Sequence, residues 1–130
     1  MKRHIKLLTA SAAAIALAIG CAGTAWADNA YVSGELNKSG SLVQYDYTRT
    51  HTFTGPISLS VNNMPSNYLR LGLRNMKASG GPQFTDSLQW NTVGAKSWDN
   101  ILVGTRFAFQ GRMGACTWFC DTNWGGNLTY

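Results

Sequence analysis

Alternation of apolar and polar residues runs through much of the chain and favours strands that are buried on one face. Residues 57–62 alternate three aliphatic side chains with two serines and an asparagine. Residues 68–74 put three leucines on one face and Arg70 and Arg74 on the other, and Phe107 and Phe109 alternate with polar or small neighbours. Because successive side chains of a strand point to opposite faces, this period of two predicts β-structure.

Turn-forming residues separate these runs, in segments 37–40, 55–56, 62–67, 79–82 and 125–126. The pattern predicts seven or eight short strands, including one near the C-terminus at residues 127–130, and no helix after residue 27. Such spacing is typical of a single small antiparallel β-sandwich, with a small β-barrel as the alternative.

The N-terminal residues 1–27 have the three-part layout of a secretory signal peptide. A basic start precedes an apolar, alanine-rich run, and Ala25-Trp26-Ala27 offers a small-x-small cleavage site before Asp28. The apolar run is shorter than the roughly 20 residues of a spanning helix. We therefore expect a secreted, extracellular protein with one domain at residues 28–130. Lipid anchoring through Cys21 is a weaker alternative, because the residues before it match a lipoprotein site only loosely.

Two cysteines remain after cleavage, Cys116 and Cys120, and an even count in an exported chain predicts one disulfide. Three of the eleven basic residues lie in the signal segment, so residues 28–130 carry eight basic and six acidic residues. A net charge of +2 does not indicate nucleic acid or a membrane surface as the partner.

The domain offers no pattern for catalysis, a cofactor or a metal. His51 is the one histidine after residue 27, no serine lies in a G-x-S-x-G motif, and the six carboxylates are scattered. We therefore predict a protein that is not an enzyme and holds no cofactor or metal. His51 is expected to be an ordinary strand residue.

The predicted disulfide loop is the best candidate for a functional surface. Trp118 and Phe119 would lie at its tip, because both cannot point inward from so tight a loop, although covering an open end of the sandwich is an alternative role. Exposed aromatics on a rigid loop make efficient binding anchors. Trp124 follows closely, and Arg70 and Arg74 could add a basic patch, so these five residues are the predicted partner-binding set. A strand ending at Tyr130 would be a further candidate if it lay at a sheet edge.

Two segments also suggest a family. Residues 68–75 (Tyr-Leu-Arg-Leu-Gly-Leu-Arg-Asn) and 124–130 (Trp-Gly-Gly-Asn-Leu-Thr-Tyr), with the signal peptide and the small β-domain, resemble small secreted proteins of actinobacteria. Among these, the chain is similar to the adaptor subunit of umbrella-shaped toxin particles, which implies a noncatalytic bridge between other proteins. We therefore predict a secreted adaptor that binds an extracellular protein. The alternatives are a carbohydrate-binding, lectin-like module and an inhibitor of an extracellular hydrolase.

Overall fold

The computed structural model describes residues 26–130, and this part of the chain consists of nine β-strands without a helix. The signal-peptide prediction, including Cys21, falls almost entirely outside the described residues. Within them, no helix is long and apolar enough to cross a membrane. The strands, in chain order, are β1 (Asn29–Glu35), β2 (Val43–Gln44), β3 (Arg49–Thr50), β4 (Ile57–Asn63), β5 (Leu69–Asn75), β6 (Leu88–Trp90), β7 (Gly94–Trp98), β8 (Arg106–Met113) and β9 (Asn123–Thr129).

Two antiparallel sheets pack face to face, which confirms the predicted β-sandwich. The first sheet has the order β1–β9–β4–β7. In the second, β8 pairs with β5 on one side and β6 follows β5, while β2 and β3 both pair with the other side of β8. The described strands form no closed barrel, so both sheets keep free edges.

Much of the core consists of the side chains that the alternation placed on one face. The apolar residues of β4 and the three leucines of β5 are buried, as are Phe107 and Phe109 of β8. Aromatic rings dominate the contact between the sheets, where Phe109 lies edge-on to Trp124 with ring centroids 5.7 Å apart. Inward-facing aromatics bury much apolar surface, which is the main force that holds two small sheets together.

The prediction for the end of the chain was wrong in two respects. The last strand, β9, begins at Asn123 and lies between β1 and β4, so it has no free edge. Gly125 and Gly126, which were predicted to form a turn, lie within this strand. A Cβ atom at Gly126 would overlap the Ser60 carbonyl of β4, so glycine permits the close approach of the two strands.

Candidate functional site

The disulfide-closed loop, residues 114–121, leaves the end of β8 and is held at its base by hydrogen bonds. Cys116 and Cys120 form the disulfide, with their Cα atoms 6.2 Å apart. The Cys116 amide donates to the Lys38 carbonyl at 2.8 Å, and the Asn67 side chain donates to the carbonyls of residues 114 and 115, both at 3.2 Å.

The outgoing end of the loop is fixed as well. The Asp121 amide donates to the Ser66 hydroxyl at 2.6 Å, and the Ser66 amide donates to the Asp121 carbonyl at 2.9 Å. The Asp121 carboxylate then accepts from the Asn123 amide at 2.9 Å, which starts β9. Both ends of the disulfide-closed loop are therefore attached to the sandwich, and only its tip projects.

That tip consists of Trp118 and Phe119, and both side chains face solvent. Their exposed fractions are 79% and 103%, so neither ring covers the end of the sandwich. Phe119 also has a φ of +47°, in the left-handed region. This conformation costs a non-glycine residue about 1–2 kcal/mol, and the exposed ring gains no burial in return.

Trp124 does not belong to this surface, and its predicted role in partner binding is wrong. Only 1% of the residue is exposed, because β9 points it into the core. Its indole Nε1–H donates to the Tyr45 hydroxyl at 2.9 Å, and that hydroxyl donates to the Glu35 carbonyl at 2.8 Å. Burial raises the pKa of Tyr45, an effect that the hydrogen bond from Trp124 opposes and the charge of Glu35 reinforces.

Arg74 is likewise unavailable to a partner, so its predicted role in partner binding is also wrong. It lies on the outer face of β5 as expected, but residues 77–85 fold over that face and leave it 6% exposed. The Arg74 Nε–H donates to the Gly81 carbonyl at 3.0 Å, and Nη1 donates to the Tyr45 carbonyl at 2.6 Å. A longer contact of 3.4 Å reaches the exposed carboxylate of Asp46. Arg74 thus ties two segments to the second sheet.

Arg70 remains at the surface, where it forms a small basic patch. It donates to the Gln89 side chain at 2.6 Å and lies directly across from Arg112 of β8, which is also exposed. Arg106 lies at the opposite end of β8, with Ala108 and Gln110 between, so it does not extend the patch.

His51 is fully buried after β3, with its ring 5.3 Å from that of Phe53. Its Nδ1 lies 3.3 Å from the Leu102 carbonyl, and no group of residues 26–130 pairs with Nε2. Asp86 and Asp99 line one cleft of about 890 Å³ between the ends of β6 and β7. Within the described range, no three metal-binding side chains cluster.

Comparison with known proteins found no match of the chain to a protein family, to a characterised protein or to a solved structure.

Proposed function

We propose that this chain is a secreted, noncatalytic adaptor that binds another extracellular protein through the tip of its disulfide-closed loop. The observation that carries the proposal is the exposure of two adjacent aromatic side chains, Trp118 and Phe119, on an anchored loop. Because the loop is closed and its ends are hydrogen-bonded, docking would freeze little additional backbone freedom.

The size of the two rings suits this role. A buried aromatic side chain removes roughly 150–250 Å² from water, which corresponds to a gross gain of about 4–6 kcal/mol each. Part of that gain offsets the cost of association, and the remainder makes Trp118 and Phe119 candidate hot spots. The patch of Arg70 and Arg112 could add orientation, since arginines often pair with carboxylates at interfaces.

The experiment is affinity capture from culture supernatant with the tagged mature protein, followed by mass spectrometry. The test variant replaces Trp118 with alanine, and Leu102→Ala is the matched control. Leu102 is also 79% exposed but lies at the opposite end of β8. We expect Trp118→Ala to abolish capture of the partner while the melting temperature stays nearly unchanged, and Leu102→Ala to alter neither.

Other outcomes would point to other functions. Equal capture by wild type and Trp118→Ala would refute the docking role of the loop. Retention on insoluble chitin, cellulose or cell wall without any protein partner would favour the lectin-like alternative. Capture of a single hydrolase, together with inhibition of its activity, would favour an inhibitor.

A further inference from the structure

The sandwich has four outer edges, and three of them are protected against pairing with another strand. On the second sheet, β6 has three residues, and β2 and β3 have two residues each. On the first sheet, β7 has five residues and carries Lys96. Short edge strands and edge lysines are the common means by which proteins prevent strand addition.

The remaining edge, β1, has none of these features. It is seven residues long, and its first six residues contain neither a charge nor a proline. Its register with β9 is continuous from Asn29 to Glu35, without a bulge. No described strand pairs with its outer side.

The hydrogen-bond pattern shows which backbone groups β1 presents on that side. Asp28 and Tyr130 exchange both of their backbone hydrogen bonds, at 2.7 and 2.8 Å. Such pairs alternate along an antiparallel ladder, so Ala30, Val32 and Gly34 bond to β9 while the N–H and C=O groups of Tyr31 and Ser33 point away from it. The Glu35 carbonyl follows the same parity and accepts its hydrogen bond from Tyr45 on the outer side.

A groove of about 290 Å³ lies beside this edge, and the residues that line it include Tyr31, Ser33, Tyr47 and Arg49. The Arg49 guanidinium stacks on the exposed Tyr47 ring, 4.3 Å from its centroid. Its Nε is buried without a hydrogen-bond partner, and within residues 26–130 no carboxylate lies within 4.0 Å of it. The charge of this guanidinium is therefore not paired within the described residues, and a carboxylate is the strongest partner for it.

We infer that the free edge of β1 is a docking site for an extended segment of a partner protein that carries an acidic side chain opposite Arg49. The segment adds a fifth strand to the first sheet through the backbone groups of Tyr31 and Ser33. Its acidic side chain pairs with Arg49, which provides the specificity that backbone bonds lack. This surface is separate from the disulfide-closed loop, so an adaptor would have two places to bind.

The test uses three capped nonapeptides of alternating threonine and valine whose central residue is Glu, Gln or Lys. The mature protein, labelled with ¹⁵N, is titrated with each while amide hydrogen exchange is followed. We expect the Glu peptide to slow exchange at Tyr31 and Ser33 by at least tenfold, and to bind about tenfold more tightly than the Lys peptide.

Variants of the protein separate the contribution of Arg49 to peptide binding from that of the β1 backbone. Arg49→Gln should remove the preference for Glu. Ser33→Pro should weaken all three peptides, because it deletes an outward N–H without breaking the ladder to β9, whereas Ser33→Ala should bind as wild type. Trp118→Ala should have no effect here, which separates this site from the disulfide-closed loop.

Two results would overturn the inference. One is unchanged exchange at Tyr31 and Ser33 with every peptide, in a protein whose other amides show a folded sandwich. The other is protection of these amides without peptide as the protein concentration rises, abolished by Ser33→Pro, which would assign the edge to a second copy of the chain.

Discussion

Replacement of Arg74 by methionine should destabilise the protein strongly, although the same change at Arg70 should not. Both arginines lie on the outer face of β5, four residues apart, and methionine preserves much of the aliphatic part of the side chain. Arg74 is 6% exposed, whereas Arg70 is exposed to solvent. The pair therefore isolates the effect of the segments that cover Arg74.

The magnitude follows from the contacts of the buried guanidinium. Its hydrogen bonds to the carbonyls of Gly81 and Tyr45 are charge-assisted, and each contributes about 1.5–3 kcal/mol. The contact to Asp46 adds little, because that carboxylate is almost fully exposed. Removal of the buried charge also relieves its desolvation cost, so we expect a net loss of about 3 kcal/mol.

Urea unfolding and thermal melting of the two variants would measure this difference. For a domain of this size, about 3 kcal/mol corresponds to a fall in Tm of roughly 12–20 °C. Arg70→Met should stay within about 0.5 kcal/mol of wild type, because its bond to Gln89 lies at the surface. A loss below about 1 kcal/mol for Arg74→Met, or an equal loss for both, would refute the structural role assigned to Arg74.

Three further perturbations give distinct readouts. Phe119→Gly should raise the free energy of unfolding by about 0.5–1 kcal/mol, because glycine adopts the positive φ without strain; a loss of stability in urea would contradict this. Joint replacement of Cys116 and Cys120 by serine should cost about 2 kcal/mol, yet calorimetry should still show a cooperative transition; loss of that transition would make the disulfide essential. Tyr45→Phe should cost about 1–2 kcal/mol at neutral pH. The pKa of Tyr45 is higher in the folded protein than its value of about 10 in the unfolded chain, so the neutral phenol stabilises the wild type below about pH 10 and this contribution is lost as the pH rises through the folded-state pKa. The difference in unfolding free energy between wild type and Tyr45→Phe, measured in urea, should therefore become smaller above about pH 10. A difference that does not change with pH would argue against this assignment.

Much of the architecture could be predicted because alternation reports directly which face of a strand is apolar. The buried aliphatic side chains of β4 and β5 are those that the pattern placed inward. The position of Trp118 and Phe119 at the tip of the loop could also be predicted, since a loop closed over so few residues cannot turn both rings inward. That neither ring covers the end of the sandwich is visible only in the structure. By contrast, alternation does not reveal β7, because four of its five residues are exposed and only Trp98 is buried.

Other features depend on strand order and on coverage by distant segments. Trp124 lies on the same buried face as Gly126 and Leu128, and its burial depends on the position of β9 between β1 and β4. His51 lies beyond the end of β3, and its burial depends on the loop that brings the Leu102 carbonyl to its ring.

The sequence by itself therefore determined the fold class, the inward faces of the main strands and the position of the aromatic tip. Only the tertiary structure decided that Arg74 is buried while Arg70 is free, and that β1 rather than the C-terminal strand has an open edge. The physical reason is that a local pattern specifies the direction in which a side chain points. What covers that side chain, and which strand lies next to it, depends on contacts between residues far apart in the chain.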